Sequence, residues 1–184
     1  MKCTNRPNGV SEQFKRQFAA TIKFMNSRGT AGDIAKLHAS NKVYYITEIA
    51  DKSSKFVPSA MTIYWDASHV VKTKSGIWLS PATVLAHEAD HAQRYDEAKG
   101  NIELSILLDA DKEKDSDPEY GTKEERRVIT GTEQYVARRH GEIDEDQFTR
   151  NNHEAKTVFI VNVMGVDPKD ISEGVYNHNV SKRK

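Results

Sequence analysis

The sequence predicts an α+β protein that is mainly helical, with a small sheet whose edge strand directly precedes a central helix. Residues 81–98 and 123–140 carry apolar side chains at helical spacing. Residues 42–49 and 60–66 are rich in β-branched and aromatic side chains, as strands are. The short run 76–79 has the same character, and its brevity indicates an edge strand.

Length and composition indicate one globular domain. The chain has 184 residues, of which 37% are hydrophobic and 29% charged, which suits a single core. We expect one domain over 1–184, with loose ends at 1–10 and 176–184. Lys plus Arg and Asp plus Glu each total 27, so the net charge is zero. This balance argues against a nucleic-acid or membrane partner.

The single cysteine, Cys3, excludes an intrachain disulfide and a cysteine-rich zinc cluster. We find no stretch long enough to span a membrane, and the N-terminus lacks the apolar core of a signal peptide.

The N-terminal elements follow from their capping residues. Ser11 is expected to cap a helix that runs to about Arg28 and ends at Gly29. Thr30 is expected to cap a short second helix. Between 66 and 76 we expect a turn, because Lys and Gly follow the second strand.

The central helix is expected to begin at Ser80-Pro81, a favoured N-cap and first-turn pair, and to run to about Ala98 before Gly100. The acidic stretch 109–122 is predicted to be a surface loop that either lines a cleft or is only solvated. A further helix over 123–140 should stop at Gly141. The apolar run 158–164 is predicted to be helical.

The pattern HExxH stands at His87, Glu88 and His91 in the central helix. Residues at i and i+4 lie one turn apart on the same face, so two imidazoles can meet one metal ion. Glu88 can then reach a water at that ion and act as general base. The motif also arises by chance on exposed helices. The preceding strand and the apolar residues one turn earlier favour a metal site. Asp90 is expected to be solvated, although a role in orienting a histidine is the alternative.

A catalytic zinc site needs a third protein ligand, and the helix over 123–140 offers three glutamates. We rank Glu125 first, because it shares a face with Val128 and Ile129, then Glu133, then Glu124. The alternative is that Glu124 and Glu125 occur at these positions because negative charges interact favourably with the N-terminus of a helix, and not because they bind a metal.

The remaining polar candidates are given weaker roles. His153 is expected to stabilise a reaction intermediate or to support a ligand. His140 is expected to hydrogen-bond helix C-terminal carbonyls, and Tyr135 to be half-buried in the core. The other histidines, expected at the surface, are His38, His69 and His178.

Residues 60–155 resemble the metallopeptidase-type toxin domains at the C-termini of Rhs and VgrG proteins, and are similar to the NleD-type secreted effector peptidases. The matching segments are 63–66, Gly76, Ser80-Pro81, 85–88, His91-Ala92, 124–133, Gly141-Glu142 and Arg150.

The resemblance implies a zincin-like fold, Zn²⁺ held by His87, His91 and a downstream glutamate, and Glu88 as general base. It also implies a bacterial effector or toxin without a signal peptide, delivered by a secretion system into a target cell. The expected partners are a protein or peptide substrate and an immunity protein or secretion carrier. Two departures are Asp90, where the family has an apolar residue, and the lack of a delivery region.

Three hypotheses of different classes follow. The first is a zinc endopeptidase. The second is a zinc-bearing module that binds a protein partner through its edge strand without turnover. The third is a metal-free helical interaction protein whose His87 and His91 are surface residues.

Overall fold

The computed structural model describes residues 2–3, 10–49, 54–98, 115–153 and 155–160, and within them it has the predicted α+β composition. The helices are α1 (Glu12–Arg28), α2 (Gly32–Ala39), α3 (Pro81–Glu97), α4 (Lys123–Val128) and α5 (Gln134–His140). The strands are β1 (Lys2–Cys3), β2 (Tyr45–Glu48), β3 (Lys55–Val57), β4 (Thr62–Trp65), β5 (His69–Thr73), β6 (Trp78–Leu79), β7 (Ser116–Asp117), β8 (Gly121–Thr122) and β9 (Ala155–Ile160).

Four strands form one sheet in the order β1-β2-β4-β3. β1 and β4 both pair parallel with β2, whereas β3 pairs antiparallel with β4. The predicted strands within 42–49 and 60–66 are confirmed as β2 and β4. The prediction of a loose arm over 1–10 is wrong at Lys2–Cys3, because backbone pairing with β2 makes these residues a strand. β3 has only three residues and was not predicted.

A second sheet has the order β6-β5-β9, with both pairs antiparallel. β6 is an edge strand, as predicted, but it belongs to this sheet and not to that of β2 and β4. The turn expected between 66 and 76 is wrong for His69–Thr73, which forms the central strand. The helix expected from 158 is wrong as far as Ile160, because pairing of Val158 with Val71 makes this segment a strand. Residues 161–164 lie outside the described part of the chain.

Helix α3 lies at the centre of the molecule and follows the sequence prediction closely. The Ser80 hydroxyl accepts a hydrogen bond from the Thr83 backbone N–H, and Pro81 occupies the first turn. Leu85, Ala89 and Ala92 are fully buried in the core. A helix buried over most of its surface holds its polar side chains in a protein environment, so those side chains need partners.

Helices α1 and α2 pack on this core. Ser11 caps α1 through the Phe14 N–H, and Gly29 ends it in the left-handed conformation with φ 70°, as predicted. Thr30 does not cap α2. The N-cap is Ala31, and the Thr30 hydroxyl instead donates to the Met25 carbonyl inside the protein.

The predicted helix over 123–140 is present, but it contains a π-helical segment, Ile129–Glu133, between α4 and α5. Gly141 ends α5 with φ 76°. The loop expected over 109–122 is wrong at its end, because β7 and β8 form a hairpin. Residues 109–114 and 176–184, with Gly100 and His178, lie outside the described residues. Among those described, no helix is both long and apolar enough to cross a membrane.

Candidate metal centre

The helical spacing of His87 and His91 brings their imidazoles together on one face of α3. The two Nε2 atoms lie 3.1 Å apart, and the rings meet edge to face with centroids 4.8 Å apart. His87 is 6% exposed, so the pair lies in a largely enclosed place. The third hypothesis assumed that both histidines are surface residues, and their burial contradicts that assumption.

The carboxylate of Glu125 completes a triad with these two nitrogens. Its Oε2 lies 3.3 Å from His87 Nε2, and its Oε1 lies 3.3 Å from His91 Nε2. Donor atoms about 2.05 Å from a tetrahedral ion are about 3.3 Å from one another. Each nitrogen–oxygen and nitrogen–nitrogen separation is close to that value, although the two histidines face different oxygens of Glu125. His87, His91 and Glu125 are therefore a possible metal-binding triad.

The other two glutamates lie behind the histidines, at the nitrogens that face away from the triad. Glu133 Oε2 is 3.0 Å from His87 Nδ1, and Glu124 Oε1 is 3.2 Å from His91 Nδ1. A carboxylate accepts a hydrogen, so each Nδ1 carries the donated proton and leaves Nε2 as the ligand atom of a neutral ring. All three glutamates considered as third ligands thus contact the site, but only Glu125 lies at the Nε2 atoms.

The donor set fits a cation. When both rings are neutral, as metal ligation requires, each donates its Nδ1–H to a glutamate and turns the lone pair of Nε2 toward the other ring and toward the anionic Glu125. Oε2 of Glu125 is buried and makes no well-formed hydrogen bond within the described residues. Its nearest nitrogens are His87 Nε2 at 3.3 Å and His153 Nε2 at 3.4 Å. An unsatisfied buried carboxylate oxygen is costly, and a metal ion would satisfy it together with both nitrogens.

Without a metal, the same carboxylates favour protons on the histidines. Burial would lower the pKa of His87, but its contacts with Glu125 and Glu133 outweigh this and raise the pKa to about 9. Burial likewise opposes the charged form of His91, whereas Glu124 and Glu125 raise its pKa to about 10. Burial would raise the pKa of Glu125, but the adjacent His153, His87 and His91 hold it well below its ordinary value. The site is therefore strongly attractive to positive charge.

An arginine holds each supporting glutamate. Arg150 Nε donates to Glu133 Oε1 at 3.0 Å, and Arg150 Nη2 donates to Glu133 Oε2, in a buried two-point pair. Arg127 Nη2 donates to Glu124 Oε1 at 2.7 Å, and its Nε donates to Glu124 Oε2 at 2.9 Å. Planar two-point pairing fixes the rotation of each carboxylate, so both histidine rings are held in turn.

Asp90 is buried, not solvated as expected, and Arg127 is the reason. Arg127 Nη1 donates to both oxygens of Asp90, at 2.9 and 3.2 Å. Asp90 is 3% exposed. This carboxylate therefore anchors the arginine that holds Glu124, and Glu124 in turn contacts His91. Neither arginine had a predicted role, because Arg127 meets Asp90 and Arg150 meets Glu133 only when separate elements come together.

The π-helical segment brings Glu133 onto the same face as Glu125. Eight residues separate them, which in a regular α-helix is a rotation of about 800°, or about 80° past two turns. A π segment absorbs one additional residue. The rotation about the helix axis between Glu125 and Glu133 is thereby reduced to about 20°. Gly131 between Thr130 and Thr132 was the available sequence signal, since a helix interior disfavours glycine. A Cβ there would meet nothing within 4 Å, so packing does not require the glycine.

Glu88 lies beside the triad on α3 and is 8% exposed. Its Oε2 accepts a hydrogen bond of 2.7 Å from the backbone N–H of Phe56 in β3. The strand that favoured a metal site in the sequence was β6, which directly precedes α3. It is β3 that contacts Glu88, and β3 is too short to be recognised from its own residues.

His153 lies at the open side of the triad. Its side chain is 54% exposed, and its Nε2 is 3.4 Å from Glu125 Oε2. Its backbone N–H donates to the Glu119 carbonyl in the β7–β8 hairpin. The hairpin therefore borders the triad, and His153 contacts Glu125; both roles expected for this histidine stay predictions.

Two expectations about other residues are wrong. His140 does not serve helix carbonyls: its Nε2 and Nδ1 lie 2.9 Å from the hydroxyls of Thr30 and Thr83, deep in the core. His140 at the end of α5 therefore contacts Thr30 and Thr83 from other parts of the chain and not the carbonyls of its own helix. Tyr135 is 53% exposed and is not among the core residues, so the core position expected for it is wrong, because the π segment shifts the buried face of α5. His38 is exposed, as predicted.

No family model matches the chain, and no curated protein or solved structure shows significant similarity to it.

Proposed function

We propose that this protein is a zinc-dependent peptidase. The observation that supports the proposal best is the convergence of His87 Nε2, His91 Nε2 and Glu125 with separations of 3.1–3.3 Å. Two imidazoles and one carboxylate form a donor set that suits zinc and leaves a fourth position for water. Glu88 stands beside the set, where such a site needs its base.

The roles follow from the positions of the side chains. His87, His91 and Glu125 would hold the ion, while Glu133 and Glu124 orient the two imidazoles. Bound zinc lowers the pKa of water and polarises a carbonyl oxygen. Beside such an ion, Glu88 would take the proton of the attacking water and pass it to the leaving amine of the peptide.

Zinc content and peptide cleavage by two variants test the proposal. The purified parent protein should hold about one zinc per chain, measured by elemental mass spectrometry. Glu88→Gln should retain that zinc and lose about 10²–10⁴-fold of peptide cleavage, the usual contribution of a general base. Glu97→Gln changes an exposed glutamate near the end of the same helix, and it should behave as the parent.

The alternative is the zinc-bearing module that binds a protein partner without turnover. It predicts one zinc per chain, a stable complex and no difference between the parent and Glu88→Gln in any assay. Equal activity or toxicity of the two proteins would therefore contradict the peptidase. A protein that takes up no zinc would contradict both functions.

We also propose, on the basis of the sequence resemblance, that the substrate is a protein of a target cell reached through a secretion system. Expression inside candidate target cells should then inhibit growth, and proteomics should reveal new peptide ends that are missing with Glu88→Gln. If the parent and the variant yield the same peptide ends, the proposed target-cell activity is wrong.

A further inference from the structure

The backbone N–H of Phe56 connects the edge strand β3 to Glu88 across 2.7 Å. Among the described strands, β3 pairs with β4 alone, in a register that sets Phe56 opposite Ile63. An edge strand has N–H groups that point away from its neighbour and receive no partner from the sheet. At Phe56 that outward N–H meets the Glu88 carboxylate.

A second contact fixes the same residue on α3. The Phe56 ring lies 5.8 Å from the ring of Tyr95 and 6.3 Å from that of Tyr44, measured between centroids. Tyr95 follows Glu88 by two helical turns and so shares its face. β3 is therefore attached to α3 at two points, by the Phe56 side chain at Tyr95 and by its backbone at Glu88.

A carboxylate that acts as a base must present one oxygen in a fixed direction. Glu88 is buried, but its side chain retains rotations about several single bonds, and ordering them is an entropic cost. A hydrogen bond from a rigid backbone donor to Oε2 removes most of that freedom in advance. It leaves Oε1 as the oxygen that can take a proton.

We propose that the Phe56 N–H is a positioning group for the reaction: it holds Oε2 of Glu88 so that Oε1 is directed for proton transfer. This inference rests on the proposed peptidase function. It assigns a role to β3 through a backbone atom, which every residue at position 56 except proline supplies.

The kinetic test uses two substitutions at one position. Phe56→Pro removes the N–H, and proline is tolerated on an edge strand where the N–H faces away from the sheet. Phe56→Ala removes the ring contacts and keeps the N–H. We expect Phe56→Pro to lower kcat at least about tenfold with KM and zinc content unchanged. Phe56→Ala should lose thermal stability and retain most of its kcat.

A second measurement does not depend on turnover. Hydrogen exchange by ¹⁵N NMR should show the Phe56 amide protected in the parent protein. In Glu88→Ala it should exchange at least about tenfold faster, while the amides of β4 keep their rates. The exchange rates test whether the hydrogen bond from the Phe56 N–H to Glu88 exists, and they do so even if Phe56→Pro fails to fold.

Two results overturn the positioning role alone: an active parent whose Phe56 amide exchanges equally fast in Glu88→Ala, or a folded Phe56→Pro protein with the kcat of Phe56→Ala. A zinc-loaded parent that cleaves no peptide overturns the proposed function as well. Failure of the inference and failure of the peptidase are therefore separate outcomes.

Discussion

His87 Nδ1 lies 3.0 Å from Glu133 Oε2, and the same carboxylate is held at both oxygens by Arg150. The chain from Arg150 through Glu133 to His87 fixes which nitrogen of the histidine faces the triad. Glu124, held by Arg127, does the same for His91. The predictions below depend on this arrangement, in which the supporting groups come from different elements than the histidines.

Glu133→Gln and Glu124→Gln should each weaken zinc binding by about 10- to 100-fold, the usual effect of losing a group that orients a ligand histidine. Glu133→Gln should be the more damaging, because Glu133 is 2% exposed and its loss leaves Arg150 buried without its anion. Competition with a fluorescent chelator measures the affinities. Glu145→Gln, at an exposed position, is the control. Parental affinity in both variants would contradict the supporting role.

The π segment should make the helix tolerant of a deletion and intolerant of an insertion. Removing Gly131 leaves a regular α-helix in which Glu125 and Glu133 are separated by about 700°, so they still share a face. We expect the deletion protein to fold and to bind zinc within a few-fold of the parent. An alanine inserted after Gly131 should turn Glu133 away by about 100° and abolish tight binding. Titration with zinc compares the two proteins, and equal affinities would contradict this account.

Zinc binding at pH 7 should release about two protons. The metal-free site has pKa values of about 9 for His87 and about 10 for His91, so both rings are protonated there. Metal ligation requires neutral imidazoles. Glu125 is already ionised because its pKa is lowered, and it adds no proton. Calorimetry in two buffers of different ionisation enthalpy gives the number. A value near zero would show that the histidines are neutral before zinc binds.

The stability of the metal-free protein should depend on pH through the same groups. A histidine whose pKa is raised on folding stabilises the folded state fully below its unfolded value of about 6.5. That contribution is lost as the pH rises through about 9 and about 10. Glu133 behaves in the opposite sense: burial opposes its charge, but His87 and Arg150 lower its pKa to about 2. Its contribution is present above about 4.5 and is lost as the pH falls through about 2.

Urea unfolding of the chelator-treated protein should therefore show falling stability from about pH 6.5 to 10. Zinc-loaded protein should lose less over this range, because the bound ligand replaces the protons and stabilises the folded state by mass action. His91→Gln, which keeps one titrating histidine, should reduce the slope in the metal-free protein. A metal-free protein whose stability rises over this range would contradict the raised pKa values.

Local sequence determined the elements whose signals lie within a few residues. Ser11, Ser80 and Gly141 set helix ends through contacts made within one turn. The i, i+4 spacing placed His87 and His91 on one face, because helical geometry alone decides that. Helical periodicity also directed attention to Glu125.

Tertiary structure decided the features that depend on distant pairing. β3 and β5 are strands because a neighbouring strand satisfies their backbone groups, and β9 is a strand through its pairing with Val70 and Val71, against its helical prediction. The burial of Asp90 and the separation of the three glutamates into one at the triad and two behind the histidines required the positions of Arg127 and Arg150. These outcomes depend on which charges and backbone groups meet across elements, and spacing within one element does not contain that information.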